Sequence, residues 1–143
     1  MGWPLRAGQC GKGFTMSDQS LALRVMTMPK DTNQYGTIFG GVILSWIDQA
    51  GFVEARRHGL HRWVTVAVDR VVFSAPVLVG DIVELWSRTS RKGTSSVTVE
   101  IEVRAQRYTT GEMVMVTTAS LAMVAVDQHG NKIPFTHPPT VNC

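Results

Sequence analysis

Apolar and polar residues alternate strictly from Val97 to Gln106, and this alternation constrains the fold more than any other feature of the chain. A period of two is typical of a β-strand that buries one face and leaves the other in water. With their flanks, this segment and the one at 113–127 predict strands of about 13–15 residues, well above the usual 5–6. Strands of that length must curve strongly, so an antiparallel sheet built from them needs something inside its curve.

A helical pattern between Gly40 and His58 supplies that filler. Apolar residues recur there at helical spacing, and others between them make the predicted helix apolar nearly all round. Gly59 ends the pattern. Such a helix is predicted to be buried. The other segments with strand patterns are 22–28, 63–75 and 82–92. The alternating segment with its flanks covers 93–108, and a hairpin turn at 109–112 joins it to the strand at 113–127.

The predicted fold class is therefore α+β, with one long buried helix wrapped by a curved antiparallel β-sheet. The 143 residues suit a single domain, which we place at 21–127. Residues 1–20 are predicted to be a disordered extension, within which Met16 is an alternative start, and 128–143 a flexible tail. The chain is 44% hydrophobic and only 17% charged. A compact core and a surface buried against other copies of the chain both explain so few charges.

The charges and the cysteines argue against several kinds of partner. The net charge of +3 is mild, and no tail is charged enough to favour nucleic acid. No apolar run reaches the roughly 18 residues that span a bilayer. Cys10 and Cys143 lie near opposite ends of the chain, a pattern that builds neither a disulfide framework nor a metal site. We therefore expect a cytoplasmic protein without a nucleic-acid, membrane or metal partner.

Three short motifs carry a resemblance to a known family. They are a D-x-N-x-x-G loop that starts at Asp31, an F-G-G helix start at Phe39, and an acid on the second helical turn, Asp48. Together with 64–85 and 91–103, they make the chain similar to the acyl-CoA thioesterase branch of the hotdog superfamily, most closely the short bacterial acyl-CoA hydrolases. The resemblance covers roughly residues 22–127.

The resemblance implies an enzyme that hydrolyses acyl-CoA to a free carboxylic acid and CoA without a cofactor. It also implies a dimer in which Asn33 of one copy faces Asp48 of the other, so that the active site is shared. We expect this dimer to assemble further into a tetramer or hexamer. The acyl chain is expected to lie against Phe39, Val42 and Trp46 and the facing strands.

Asp48 is the predicted catalytic group. It shares one helix face with Gly41, Ser45 and Phe52, and a carboxylate on so apolar a helix is costly unless it is hydrogen-bonded or used. It suits a general base that activates water, or a nucleophile that forms a mixed anhydride. The alternative is a structural role in a local hydrogen-bond network or an interface ion pair.

Two further catalytic roles are predicted around the helix start. The backbone N–H groups of Gly40 and Gly41 lie at the positive end of the helix dipole, where a thioester oxyanion would be stabilised. The alternative is that these glycines only allow close packing. Asn33, in the preceding loop, is predicted from the resemblance to orient the water or the carbonyl, although an asparagine in a loop is commonly a turn former.

Basic residues near one predicted hairpin are candidates for binding the phosphates of CoA. Cations there precede a glycine and hydroxyl-bearing residues, which together offer charge and exposed N–H groups. A solvated basic hairpin explains the same pattern. Arg70 is predicted to reach either a CoA phosphate or a neighbouring subunit. The hairpin candidates are Arg88, Arg91, Lys92, Gly93, Thr94 and Ser95.

Two other functions stay open at this point. A thioester dehydratase of the same fold usually carries a histidine near the helix start, and here no histidine precedes His58. A non-catalytic regulator that binds acyl-CoA or a nucleotide would belong to a different class. Release of thiol from acyl-CoA separates hydrolysis from both.

Overall fold

The computed structural model describes residues 18–141 and contains one long helix packed on a five-stranded sheet. Short 3₁₀ turns cover Pro29–Asp31 and Arg56–His58. None of the helices in residues 18–141 is long and apolar enough to cross a membrane. The main elements are β1 (Ser20–Met26), α1 (Gly40–Ala55), β2 (Arg62–Val68), β3 (Ile82–Lys92), β4 (Ser96–Gln106) and β5 (Met113–Val126).

The sheet is antiparallel throughout, with the strand order β1-β3-β4-β5-β2. Its two longest neighbours, β4 and β5, pair over 11 registered positions. The alternation on β4 follows the prediction, because Val97, Val99, Ile101, Val103 and Ala105 are all buried against the core. Helix α1 packs on this inner face. The predicted fold, one helix wrapped by a curved antiparallel sheet, is confirmed.

The prediction that α1 is buried all round is wrong for a single chain. The side facing the sheet, including Ile43, Ile47 and Ala50, is buried. The opposite side exposes Leu44, Phe52 and Val53, each about two-fifths exposed at 39–41%. One sheet covers only one side of a helix, so this second apolar side has no partner within residues 18–141.

The predicted strand at 63–75 is also shorter than expected. Strand β2 ends at Val68, after a bulge between Thr65 and Ala67. From there the chain runs irregularly beside β5, where the carbonyl of Val72 accepts a hydrogen bond from the Thr117 hydroxyl at 2.8 Å. A bulge interrupts the regular ladder, so alternation in the sequence continues after the strand has ended.

The C-terminal segment is bound to the domain as far as it is described. The N–H of Ile133 donates to Ala125 O and that of Phe135 to Thr94 O, both at 3.1 Å. The buried His61 ring contacts the Thr140 hydroxyl and the Phe135 carbonyl, each at 3.0 Å. The sequence predicts a flexible tail here because it is rich in proline, but these contacts come from distant parts of the chain.

The predicted N-terminal extension lies almost wholly outside the described residues. Cys10 and Cys143 also lie outside them. The first strand of the described part begins at Ser20, one residue before the predicted domain boundary at 21.

Candidate active site

Asp48 is held by one hydrogen bond from the neighbouring strand. The hydroxyl of Thr65 on β2 donates to Asp48 Oδ1 at 2.5 Å. No group within residues 18–141 donates to Oδ2, so that oxygen is open to water or substrate. A carboxylate with one oxygen fixed and the other open has the arrangement required of a general base or a nucleophile.

The Asp48 cavity lies between α1 and β2 and has a volume of about 640 Å³. Apart from Asp48, its lining holds no charged side chain. Most of the contacts it offers are apolar or aromatic, which suits a hydrocarbon chain. Its lining residues are Leu23, Asp48, Gln49, Phe52, Val53, Trp63, Val64, Thr65 and Met123.

The start of α1 leaves two backbone N–H groups uncovered. The first intrahelical bonds run from Val42 N at 3.0 Å and Ile43 N at 3.3 Å to the carbonyl of Phe39, so Gly40 and Gly41 lie in the unpaired first turn. A side chain added at Gly41 would meet nothing within 4 Å. Close packing therefore does not require a glycine at position 41. The absence of a side chain there does leave the N–H group of Gly41 more accessible to a substrate.

Asn33 uses most of its side chain within its own loop. Its Oδ1 accepts from the N–H of Tyr35 at 2.9 Å and of Thr37 at 3.2 Å, and its Nδ2 donates to the Thr37 hydroxyl at 2.8 Å. These bonds form a tight turn just before α1. Asn33 does not line the Asp48 cavity, so the described part of one chain does not bring the two predicted partners together.

The predicted acyl-contact residues lie apart from Asp48. Phe39 caps the start of α1 and is 49% exposed, and Trp46 packs against the core. Positions 46 and 48 point in very different directions, because each helical residue advances the side chain by about 100°. Phe52 and Trp63, rather than Phe39 and Trp46, are the aromatic residues beside the carboxylate.

The predicted CoA-binding residues divide between two places. Arg70 and Arg88 lie on the sheet face opposite α1, where Arg88 forms an ion pair with Glu100. There they border an open cavity of about 730 Å³, here called the outer groove, whose lining includes Asp69, Arg70, Arg88, Glu100, Glu102 and Arg104. The other candidates form the β3–β4 hairpin, which is exposed from 91 to 94 and half-buried at Ser95; they are Arg91, Lys92, Gly93, Thr94 and Ser95.

This hairpin lies beside the end of α1. His58 Nε2 contacts the Thr89 hydroxyl at 2.7 Å. Burial lowers the pKa of His58, the positive charge of Lys92 lowers it further, and Glu54 opposes both. The positive charge of Lys92 on the hairpin therefore disfavours protonation of His58 at the end of α1.

Thr65 is the site residue that the sequence analysis missed. Its side chain carries a hydroxyl on the inward side of β2, two positions after the buried Trp63. A polar residue at an inward position is a usable signal, but its partner is 17 residues away and only the fold identifies it. Within residues 18–141 no three histidine, cysteine, aspartate or glutamate side chains are grouped to bind a metal ion.

Comparison with known proteins identifies similar sequences and structures. The model of the thioesterase superfamily matches residues 35–112. The chain is 41% identical over 113 residues to the acyl-CoA thioester hydrolase YciA of Escherichia coli, covering 77% of this chain and 86% of that protein.

Two solved structures share the fold at similar identity. A hexameric hotdog fold thioesterase of Campylobacter jejuni has a TM-score of 0.76 at 43% identity, covering 80% of this chain and 89% of that one. HI0827, a hexameric broad specificity acyl-coenzyme A thioesterase, has a TM-score of 0.78 at 36% identity, covering 84% and 83%.

Proposed function

This chain belongs to the thioesterase superfamily, and we propose that it hydrolyses acyl-CoA to a free carboxylic acid and CoA. The observation that carries the proposal is the Asp48 carboxylate, whose open Oδ2 borders an apolar cavity. An apolar cavity suits the acyl chain, and the carboxylate supplies the group that starts hydrolysis of the thioester.

The reaction needs a nucleophile, a site for the developing negative charge, and a leaving thiol. As a general base, Asp48 takes a proton from water while the water oxygen attacks the thioester carbonyl carbon. The N–H groups of Gly40 and Gly41 stabilise the tetrahedral oxyanion. The carbon–sulfur bond then breaks, and the CoA thiolate takes up the proton. As a nucleophile, Asp48 instead attacks the carbonyl, the carbon–sulfur bond breaks, and the CoA thiolate leaves a mixed anhydride behind. Water then hydrolyses the anhydride to the carboxylic acid and the free Asp48 carboxylate, and the proton released goes to the thiolate.

Distance along the helix supports an active site shared between two copies. Gly40 and Asp48 are eight residues apart on α1, which is about 12 Å of helical rise. The carbonyl group lies about 3 Å from the attacking atom and about 3 Å from the oxyanion donors, so a nucleophilic Asp48 must lie within about 6 Å of those donors. If Asp48 instead acts through a water molecule, the limit rises to about 9 Å, which is still shorter than the helical rise. Gly40 and Asp48 of the same helix cannot meet that requirement. We therefore assign Gly40, Gly41 and Asn33 of one copy to the same site as Asp48 of another.

The exposed apolar side of α1 is the surface that suits this dimer. Leu44 and Phe52 lie there, and the adjacent edge strand β2 exposes Val64, Val66 and Val68. An uncovered edge strand with apolar side chains is a ready template for pairing with another chain. The C. jejuni thioesterase and HI0827 are hexameric, which supports a hexamer built from three such dimers.

Mixed oligomers of two inactive variants should recover activity if the site is shared. Asn33→Asp keeps the acceptor oxygen of the turn and removes the amide donor, and Asp48→Asn removes the carboxylate. When equal amounts of the two variants pair at random, about half of the dimers contain one copy of each variant. Each such dimer has one intact site out of two, so the mixture should reach about a quarter of wild-type activity. The measurement is thiol release after co-refolding or co-expression. Activity no higher than that of either variant alone would show that each site belongs to one chain.

Removing the Thr65 hydroxyl should slow hydrolysis without abolishing it. Thr65→Val leaves the Asp48 carboxylate free to rotate, so we expect kcat to fall about 10-fold. This is less than the roughly 10²–10³-fold for losing a donor to the oxyanion, because the hydroxyl orients the carboxylate and does not contact the reacting atoms. Thr65→Ser retains the hydroxyl and should restore most of the rate with the wild-type pH profile. A Thr65→Val variant with unchanged kcat would remove Thr65 from the site.

Of the two basic regions, we propose that the β3–β4 hairpin binds the phosphates of CoA. Arg91 and Lys92 have no salt-bridge partner within residues 18–141. Gly93 lies so close to Ser96 that an added Cβ would be 2.7 Å from its hydroxyl, which keeps the hairpin tight. Thr94 and Ser95 add hydroxyl and N–H donors there. Arg70 and Arg88 instead share the outer groove with carboxylates, which disfavours an anionic ligand.

Thiol release from a panel of acyl-CoA substrates tests the proposed function against its two alternatives. Hydrolysis releases free thiol from saturated acyl-CoA. A dehydratase would change the absorbance of an enoyl-CoA without releasing thiol. A regulator would bind acyl-CoA and turn over nothing. Failure to release thiol from any substrate of the panel would overturn the proposal. The cytoplasmic location stays a prediction.

A further inference from the structure

Glu54 is a buried carboxylate on α1 that the proposed reaction does not use. It is 4% exposed, and donors surround it, as a buried charge requires. Its Oε2 accepts from the Ser87 hydroxyl at 3.0 Å and from the Arg57 guanidinium at 3.3 Å, and its Oε1 accepts from the Thr89 hydroxyl at 3.0 Å. These bonds connect the last turn of α1 to β3 just before the β3–β4 hairpin.

The bond from Thr89 to Glu54 determines which nitrogen of His58 carries the hydrogen. A carboxylate only accepts, so the single hydroxyl hydrogen of Thr89 points to Glu54. The Thr89 oxygen lies 2.7 Å from His58 Nε2 and therefore accepts from an Nε2–H group. A neutral imidazole carries one such hydrogen, so Nδ1 is the atom of His58 that can take up a proton.

His58 Nδ1 is open to solvent. It has no hydrogen-bond partner within residues 18–141. The His58 side chain is half-buried, and Trp86 Nε1 is the only buried side-chain nitrogen or oxygen without a partner in that part of the chain, so the unpaired Nδ1 is not buried. Protonation of Nδ1 would add a positive charge and a second N–H donor beside the hairpin.

The charges around His58 favour its neutral form when no ligand is bound. Burial lowers the pKa of His58 below the ordinary value of 6.5, the positive charge of Lys92 lowers it further, Glu54 raises it, and Arg57 lowers it again. Because the charge of Lys92 acts on the ring, an anion bound at Lys92 would act on it as well, with the opposite sign. The sequence contains no acidic residue from position 90 to 99 to repel such an anion.

We propose that His58 is a further phosphate-binding residue of the CoA site, and that it takes up a proton at Nδ1 when a phosphate binds beside Lys92. The inference rests on the hairpin site of the proposed function. The proton comes from the solvent, and no covalent bond of the ligand changes. A phosphate between the two positive groups cancels their repulsion and accepts a hydrogen bond from Nδ1–H.

The sign of the pH dependence follows from this arrangement. The phosphate raises the pKa of His58 in the complex above that of the free protein, so binding is accompanied by proton uptake between the two values. The contribution of His58 to CoA affinity is complete below the pKa of the free protein. It is lost as the pH rises through the pKa of the complex.

His58→Gln tests the inference because glutamine retains a donor that can reach Thr89 but takes up no proton. At about pH 6 we expect this variant to bind CoA about 5-fold more weakly than the wild type, the effect of a partly exposed ion pair, and at about pH 8 we expect affinities within about two-fold. His129→Gln makes the same substitution at an exposed histidine outside this network and should match the wild type.

Calorimetric titration with CoA, in two phosphate-free buffers of different ionisation enthalpy, measures both the affinity and the proton uptake. At about pH 6.5 the wild type should take up about 0.3–0.5 more protons per CoA than His58→Gln. The phosphate monoester of CoA also titrates near about pH 6, but its contribution is common to both proteins. Equal proton uptake by the two proteins, or an equal loss of affinity at both pH values, would overturn the inference and leave His58 a structural role.

Hydrogen–deuterium exchange at the imidazole C2 position decides the outcome if His58→Gln does not fold. Mass spectrometry of fragments that separate His58 from His61 gives the pKa of His58 in the wild-type protein with and without CoA. A higher pKa with CoA supports the inference, and an unchanged one contradicts it.

Three ligands identify the group that His58 binds. Proton uptake with both CoA and dephospho-CoA would assign the pyrophosphate, and uptake with CoA alone would assign the 3′-phosphate. The same uptake with pantetheine, which has no phosphate, would contradict the inference. Thiol release from acyl-CoA is measured separately, so a protein that binds CoA with proton uptake but hydrolyses nothing would overturn the proposed function and not this inference.

Discussion

Asp48→Asn should lower kcat for acyl-CoA hydrolysis by about 10³-fold or more, the range expected when a general base or a nucleophile is lost. The amide has the shape of the carboxylate, and its carbonyl oxygen can still accept the Thr65 hydrogen bond. Folding and binding of CoA should therefore be nearly unchanged. Thiol release measures the rate, and titration with CoA measures the binding.

A neighbouring variant controls for damage to the cavity. Gln49 follows Asp48 on α1 and lines the same cavity, but it offers no carboxylate. Gln49→Ala should keep kcat near that of the wild type. An Asp48→Asn enzyme with wild-type turnover would contradict the proposed mechanism.

Hydroxylamine separates the two possible roles of Asp48. If Asp48 is the nucleophile, hydroxylamine that attacks the Asp48 carbonyl of the mixed anhydride expels the carboxylic acid and leaves a hydroxamate on Asp48, which mass spectrometry of the peptide detects. Attack at the acyl carbonyl instead releases an acyl hydroxamate and the free carboxylate, so a modified peptide is the outcome that identifies the nucleophile. If Asp48 is a general base, no bond forms between it and the acyl group, and the peptide stays unmodified during turnover.

Asp81→Ala should lower the free energy of unfolding by about 3–5 kcal/mol, the range for breaking one partner of a buried ion pair. Asp81 is 1% exposed, and its Oδ2 accepts from Arg107 at 2.6 Å and from the N–H of Leu78 at 2.9 Å. Its Oδ1 accepts from the N–H of Tyr108 at 3.3 Å. The alanine leaves the Arg107 charge and these N–H groups without their acceptor.

Urea denaturation at a fixed protein concentration measures this loss, because an oligomer's stability depends on concentration. Glu84→Ala is the matched control. It breaks the ion pair with Arg24, which is longer at 3.8 Å and has an arginine 56% exposed, so the loss should be at most about 1 kcal/mol. Equal losses for the two variants would show that burial does not govern the Asp81 pair.

Interactions between near neighbours in sequence explain the parts of the fold that could be predicted. The period of two on β4 depends only on the geometry of a strand, and the structure buries the predicted residues from Val97 to Ala105. The start of α1 at Gly40 and its end before Gly59 follow from local backbone preferences. The motifs around Asp31, Phe39 and Asp48 indicate the family, which the relative at 41% identity confirms.

The errors arose where a pattern continues but its partner is elsewhere. Alternation runs past Val68, but the bulge after Thr65 ends the strand. The proline-rich tail resembles a flexible segment, but Thr94 and His61 bind it. The apolar character of α1 predicts burial on all sides, but the described part of the chain covers only the side that faces the sheet.

By itself, the sequence determined the strand and helix periods, the one-helix fold, the family, and Asp48 as the candidate carboxylate. Only the tertiary structure decided that Thr65 holds Asp48, that Asp81 neutralises Arg107, and that Arg88 is already paired with Glu100. The physical reason is distance. Backbone preferences act over a few residues, whereas hydrogen bonds and ion pairs depend on separations of a few ångströms between groups far apart in the chain. The 12 Å between Gly40 and Asp48 is the clearest case, because it makes a second copy part of the proposed site.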